Sequence, residues 1–265
     1  MCLRRLHLAY QLLTQITTIS MKQVIFEVVS NLALTESVYE MVLSGDTSAI
    51  TAPGQFVELS LEGLFLRRPI SVCNYDDGKL TLIYKVVGKG TAQMANIAAG
   101  TKIDTLTGLG NGFNDSMECN SPLLVGGGVG VPPLYRLARN LIAKSKSVTV
   151  VLGFNTASEI FYKDEFEALG AKVIVATADG SYGVKGFVTD AIKEEKVAAD
   201  YFYSCGPLPM LKALCSTLDI TGEISLEERM GCGFGICMGC SIQTASGAKR
   251  VCKEGPVFRK EEILW

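Results

Sequence analysis

The sequence predicts a β plus α/β chain: a six-stranded antiparallel barrel, then a doubly wound parallel sheet, then a small cysteine-bearing tail. Three observations carry this. From Gln23 to about Thr107, short β-type runs are separated by turn residues. After Ser121-Pro122 the period changes, and short apolar runs alternate with helical stretches. Residues 226–265 lack periodicity and hold four of the nine cysteines. These breaks divide the 265 residues into an extension (1–20), a barrel domain (21–118), an α/β domain (119–225) and a cysteine domain (226–265).

In the barrel region the expected strands are Val24–Val29, Val38–Leu43, Gln55–Leu61, Pro69–Asn74, Leu80–Val87 and Lys102–Leu106. Ser44-Gly45-Asp46, Pro53-Gly54 and Asp76-Asp77-Gly78 supply the turn chemistry between them. One helix is expected here, Thr91–Ala98, with Thr91 as its cap. Six strands at this spacing suit a small barrel. In the second region Leu123–Val125, Val148–Leu152, Val173–Ala176 and Tyr201–Ser204 read as buried strands. Helices are expected over Pro133–Ala143, Glu159–Leu169, Phe187–Glu194 and Pro207–Leu218. That alternation implies a parallel sheet with helices on both faces.

Composition narrows the function. Lys plus Arg number 25 and Asp plus Glu 27, so the net charge is −2 and the basic footprint of a nucleic-acid binder is missing. A hydrophobic share of 48 % with 20 % charged residues excludes a disordered chain. An odd count of nine cysteines in a chain of this length argues against a disulfide scaffold and for metal or redox chemistry. The first twenty residues have Arg4, Arg5 and an interrupted apolar run, Leu6 to Leu13, too short to span a bilayer and without a small-residue cleavage site. We read them as an upstream extension without chemistry, and the protein as cytoplasmic. The single histidine, His7, falls there, which excludes histidine chemistry elsewhere.

The strongest motif is Cys232-x4-Cys237-x2-Cys240 followed by Cys252. Zinc sites usually pair two CxxC knuckles or mix Cys with His, and neither arrangement is present. The order matches the plant-type [2Fe–2S] ligand pattern, with a shorter final gap. The interspersed glycines let a loop turn tightly and aim backbone N–H groups at sulfur. A structural zinc site or unrelated buried thiols are the alternatives. Cys2, Cys73, Cys119, Cys205 and Cys215 are scattered and read mostly as small core residues or inert thiols.

Two weaker signals lie in the barrel. Arg67-Arg68-Pro69-Ile70-Ser71 can hold a phosphate and a ring edge from one extended segment, although it also reads as a strand entry with solvated arginines. Gly88-Lys89-Gly90-Thr91 is a glycine turn into a helix start, a phosphate-type site. Together they look like two halves of a flavin pyrophosphate site. In the α/β region Gly128-x-Gly130-x-x-Pro133 follows a strand and opens a helix, a relative of the dinucleotide fingerprint that tight packing alone would also explain. Cys205-Gly206-Pro207 is again a strand end opening a helix, so both loops should share the crevice at the strand C-termini. Asp179-Gly180-Ser181 would lie on the same rim, as a ligand contact or a plain turn.

In this order the five motifs resemble the electron-transfer subunit of class 1B (NAD-dependent) dihydroorotate dehydrogenase, within the ferredoxin–NADP reductase superfamily. The resemblance covers Met21 to the C-terminus. The wider superfamily has Arg-x-Tyr-Ser where this chain has Arg68-Pro69-Ile70-Ser71. The resemblance implies FAD held by Arg68, Pro69, Ile70 and Ser71, by Ile83, Tyr84 and Lys85, and by Gly90 and Thr91. It implies a [2Fe–2S] cluster on Cys232, Cys237, Cys240 and Cys252, and NAD near Gly128, Gly130, Cys205 and Gly206, with Cys205 beside the nicotinamide. The implied activity is a diaphorase half-reaction. Electrons from dihydroorotate, oxidised by an FMN-containing catalytic subunit, pass through [2Fe–2S] and FAD to NAD+ in de novo pyrimidine (UMP) synthesis. Two subunits of each kind are implied. Arg229, Lys249, Arg250 and Lys253 could steer docking or form an ordinary solvated basic face. The alternative is a related NAD(P)H:ferredoxin-type reductase subunit of another flavin/iron–sulfur complex.

Overall fold

The computed structural model describes residues 21–265, so the extension expected over 1–20, with His7 and Cys2, lies outside the described residues. Six strands form a closed antiparallel barrel: β1 (Lys22–Ala33), β2 (Val38–Ser44), β3 (Phe56–Leu59), β4 (Arg68–Asp76), β5 (Lys79–Lys85) and β6 (Lys102–Leu109), in the order β1-β2-β5-β4-β3-β6. Phe26, Met41, Leu43, Val57, Leu59, Leu80 and Leu82 point inward and are fully buried, each worth about 1.5–3 kcal/mol over exposure. β3 is shorter than its apolar run because Gln55 turns its side chain back into the chain. Its Oε1 accepts the Thr51 and Ala52 N–H groups, and its Nε2 donates to Gly110 O.

The barrel helix α1 (Lys89–Ala95) begins at Gly88, so Thr91 is not its cap. Thr91 sits one turn further in, where its Oγ1 accepts the N–H groups of Val87 and Gly88 at 2.9 and 3.2 Å.

The second region forms a seven-stranded sheet from β7 (Pro122–Gly127), β8 (Thr149–Phe154), β9 (Lys172–Thr177), β10 (Val184–Lys185), β11 (Tyr201–Cys205), β12 (Gly222–Ser225) and β15 (Val257–Arg259). Its order is β10-β9-β8-β7-β11-β12-β15, parallel except for the last pair. Helices α2 (Pro132–Ala143) and α3 (Lys163–Ala168) pack on the barrel side, and α4 (Val188–Glu194) and α5 (Leu208–Thr217) on the other. α3 is shorter than expected because Tyr162, at φ +64°, breaks the helix, and its hydroxyl donates to Glu40 of β2 at 2.6 Å. β12 and β15 are short and lack a periodic signal, and β15 brings the C-terminal tail onto the sheet edge. Between them the tail adds a hairpin, β13 (Ser241–Thr244) and β14 (Gly247–Arg250). One apolar core joins Val38, Cys73 and Ile83 of the barrel to Leu124, Leu134 and Phe166 of the sheet side.

Candidate functional site

β7 and β11 are neighbours, and both end at glycine-containing turns. β7 runs into a 3-10 turn over Gly128–Gly130 and then α2, and β11 runs into Gly206 and α5. The two strands are parallel, but the order of strands reverses between them, β8 to β10 lying to one side and β12 to the other, which makes their C-terminal ends the crevice of an open α/β sheet. The crevice there has a volume of about 400 Å³, and Gly128, Phe154, Asn155, Ala178, Phe187 and Met210 are among its lining residues. Packing enforces its glycines: a Cβ on Gly126 would stand 2.9 Å from Val131, and one on Gly127 2.6 Å from the Met210 sulfur. Asp179 accepts both the N–H and the hydroxyl of Ser181, and Ser181 Oγ in turn accepts the Ala157 N–H at 2.7 Å, so Asp179-Gly180-Ser181 forms a turn tied to the loop after β8 beside the crevice.

A second cavity, about 250 Å³, lies where barrel, sheet and tail meet. The barrel contributes Phe56, Pro69, Ser71 and Lys85, and the sheet contributes Gly130, Cys205 and Gly206. The tail segment Leu226–Met230 and Pro256 close it. Gly127 and Pro207 line both cavities, so the two adjoin. Burial pushes the Cys205 thiol up to about 12, so it stays a neutral thiol.

The sequence-predicted flavin residues fall into three groups. Pro69, Ser71 and Lys85 line the cavity. Arg68 and Gly90 meet directly, since a Cβ on Gly90 would stand 2.1 Å from Arg68 Nε, so the fold does bring Arg68–Ser71 and Gly88–Thr91 together. Ile70 packs against the barrel core, Ile83 lies in the core shared with the sheet side, and the Tyr84 side chain is enclosed in the barrel, its hydroxyl donating to Asn31 Oδ1 at 2.8 Å. The β4–β5 ladder stops at Val72↔Leu82, while Ile83–Lys85 still pair with Val38–Glu40 of β2, so their edge on the β4 side lies beyond that ladder. Arg67 is a brace: it pairs with Asp104 at 2.8 Å and donates to the Asp104 carbonyl at 3.0 Å.

The four motif cysteines lie on the loop before β13 and just after β14. Backbone N–H groups point at their sulfurs: Ile236 and Cys237 at Cys232 Sγ, 3.3 and 3.4 Å, Gly239 at Cys237 Sγ, 3.5 Å, and Cys252 at Cys240 Sγ, 3.4 Å. Burial alone would raise the Cys232 thiol, but the N–H groups of Cys237, Phe234 and Ile236 hold it down at about 6. Burial, with the neighbouring Cys240 and Cys232 sulfurs, pushes Cys252 up to about 12. The loop is seated on the barrel: a Cβ on Gly233 would stand 2.3 Å from the buried Glu58 carboxyl. Among the described residues no three His, Cys, Asp or Glu side chains converge closely enough to hold a metal ion. The fit to a cluster therefore rests on donor chemistry: four thiols, N–H groups aimed at sulfur and one depressed thiol suit iron–sulfur ligation. Of the four candidate docking cations, Lys249 pairs with Glu262 at 3.0 Å, and Arg250 pairs with Glu254 and donates to Gly235 O at 2.5 Å. Those two brace the cysteine domain.

The family model for the iron–sulfur cluster binding domain of dihydroorotate dehydrogenase B matches residues 227–264, and that for the oxidoreductase NAD-binding domain matches 124–216. The electron transfer subunit of dihydroorotate dehydrogenase B (NAD(+)) from Shouchella clausii is 45 % identical over 239 residues, covering 85 % of this chain and 92 % of its own. The chain belongs to this family of electron transfer subunits. The dihydroorotate dehydrogenase B subunit of Geobacillus sp. (strain WCH70) is 44 % identical, covering 92 % of this chain and 99 % of its own. A solved NADH-dependent reduced ferredoxin–NADP oxidoreductase superposes with a TM-score of 0.82 at 32 % identity, over 91 % of this chain and 90 % of that one. Membership makes the chain an oxidoreductase subunit whose cofactors are FAD, a [2Fe–2S] cluster and NAD. Within the dihydroorotate dehydrogenase B frame, the glycine turns, the barrel strand and the segment that leads into the cysteine loop all border one crevice. Residues without a motif complete it. Ser225, Glu227, Met230 and Pro256 come from aperiodic sequence. The buried Glu58 lies under the cysteine loop, on a strand whose alternation gives no hint of a buried carboxylate.

Proposed function

We propose that this chain is the conduit between a dihydroorotate-oxidising, FMN-containing catalytic subunit and NAD+, two of each subunit forming the enzyme in the cytoplasm. The observation that carries it is the shared cavity: Ser71 and Lys85 of the barrel, Gly130, Cys205 and Gly206 of the sheet, and Met230, two residues before Cys232, border one space. An iron–sulfur centre carries one electron and NAD+ accepts a hydride, so the flavin, when bound, supplies the exchange between single electrons and pairs.

The chain's own residues position the partners of that exchange. Arg68, with Gly90 and Thr91, forms the phosphate end of the flavin site. Pro69, Ile70 and Ser71, and the peptide groups of Ile83, Tyr84 and Lys85, border its ring. Gly128 and Gly130 let the NAD pyrophosphate approach backbone, and Cys205 and Gly206 flank the nicotinamide. Cys232, Cys237, Cys240 and Cys252 ligate the cluster. The exposed Phe234, Ile236 and Met238 surround that cluster loop and form the face on which the catalytic subunit docks. No helix among the described residues is long and apolar enough to cross a membrane.

The deciding experiment is co-purification. A brown-yellow chain that brings down an FMN protein and makes NADH formation depend on dihydroorotate supports the reading. Intact cofactors with no dihydroorotate-dependent NADH would favour a reductase subunit of another flavin/iron–sulfur complex. A colourless zinc protein would sink both.

A further inference from the structure

α2 begins at the glycine turn, so the position of the helix sets the position of that turn. Its barrel-facing side carries Arg136, Arg139, Asn140 and Lys144, spaced so that they share one face. Each is bound to the barrel or to the segment that joins it to the sheet. The Arg136 guanidinium lies over the Tyr75 ring, 4.2 Å from its centroid. Its Nη1 donates to Asn74 Oδ1 at 3.3 Å, to the Tyr75 carbonyl, and to Asp76 at 3.1 Å. Its Nε donates to Asn140 Oδ1 at 3.0 Å, which fixes the guanidinium along the helix. Arg139 reaches Asp76 at 2.6 Å, Asn140 donates to Asp115 at 2.6 Å, and Lys144 pairs with Asp115 at 2.8 Å.

The receiving residues, Asn74–Asp76, are the last three of β4. The first four, Arg68–Ser71, are the ones assigned to the flavin. One strand therefore bears the flavin residues at one end and grips the nucleotide helix at the other. The apolar core shared by Ile83, Cys73 and Leu134 holds the two halves together, but apolar contact is non-directional and does not fix register. Hydrogen bonds and a stacked guanidinium do.

We infer that Arg136 is a positioning residue for hydride transfer: it registers the helix that carries the pyrophosphate-side glycine turn, on which the nicotinamide-side turn at Cys205 and Gly206 rests, against the strand that carries the flavin site. This rests on the cofactor reading above. Hydride transfer needs reacting atoms about 3–3.5 Å apart, and a displacement near 1 Å costs on the order of 10²-fold in rate.

The test is stopped-flow reduction of the flavin by NADH in the assembled holoenzyme, for wild type, Arg136→Gln and Arg136→Lys. We expect Arg136→Gln to slow flavin reduction at saturating NADH by about 10²-fold. The Kd for NADH should shift less than about threefold, the NADH–flavin charge-transfer absorbance should weaken, and Arg136→Lys should restore part of the rate. Asp76→Asn provides a second route: the doubly substituted enzyme should lose less rate than the product of the two single losses if both act through this clasp. A rate unchanged in Arg136→Gln, or a loss fully accounted for by lost FAD or a lower Tm, overturns the inference while leaving the cofactor reading intact. Wild-type holoenzyme whose flavin NADH does not reduce overturns that reading and the inference with it.

Discussion

Gly130 and Cys205 are packed so closely that a Cβ on Gly130 would stand 2.2 Å from the Cys205 carbonyl oxygen and 2.5 Å from Gly206 Cα. The two glycine turns are thus one unit, since the turn after β7 rests on the turn after β11. The three nearest atoms are all backbone, so rotating a side chain away cannot relieve the clash.

Gly130→Ala must therefore push the turns apart. Overpacking of this kind costs about 1–3 kcal/mol. We expect a lower Tm, and a Kd for NADH raised by about tenfold or more, read by fluorescence titration, with flavin and iron content retained. Wild-type NADH affinity in Gly130→Ala would remove the glycine turn from the nucleotide site.

Tyr84 separates a side-chain role from a backbone role. Its hydroxyl is spent on Asn31 inside the barrel, and its ring stacks with Tyr39 at 5.9 Å. Tyr84→Phe should cost about 1 kcal/mol for the lost hydrogen bond. FAD content and the flavin spectrum should not change. Loss of flavin without loss of stability would mean that the phenol reaches the cofactor.

The barrel and the parallel sheet were legible because each has a period: alternation with turn residues for one, apolar runs spaced by helices for the other. The cysteine spacing and the glycine turns were legible because their chemistry demands fixed offsets. What escaped had neither. β12 and β15 are four and three residues long, and their pairing is set by where the tail folds back. The break before α3 comes from Tyr162 bonding to Glu40, 122 residues away in sequence, a tertiary contact that overrides helix propensity. Thr91 was legible as a capping residue but not in its role, since side-chain type alone does not separate the cap from the position one turn inside. The cavity's tail residues, Ser225 to Met230, become a site only through the fold.

Cys205 lies at the crevice beside the nicotinamide side of the proposed site, with burial holding its thiol up at about 12. A group titrating there is neutral throughout the physiological range, so it cannot act as a thiolate. NADH-to-flavin transfer should consequently show no inflection between about pH 6 and pH 9 that Cys205→Ser removes. Alkylation of Cys205 at pH 8 should be at least about tenfold slower than that of an ordinary exposed thiol, because the reactive thiolate is scarce. A Cys205-dependent inflection near pH 8 would contradict the neutral thiol.

Acid should loosen the grip of α2 on the barrel. Burial works to raise the Asp115 carboxyl, yet hydrogen bonds from Lys144 and Asn140 and the Lys144 charge hold it below its ordinary value of 3.8. Asp76 is held down in the same sense, Arg139 and then Arg136 outweighing its burial. A carboxyl lowered in the folded state contributes stability that is complete above the unfolded value and is lost as pH falls through the folded one. The clasp should therefore be indifferent to pH from about 8 down to 5 and weaken below 3.8. Thermal melts at descending pH test this, with Asp115→Asn as the comparison. The amide can still accept from Asn140 but has no charge to lose. Its Tm at pH 7 should be lower than wild type, and the two curves should converge in acid. Parallel curves across the acid limb would show that Asp115 contributes nothing to the pH dependence, leaving it to Asp76 and the other lowered carboxyls, Asp104 and Glu254 among them.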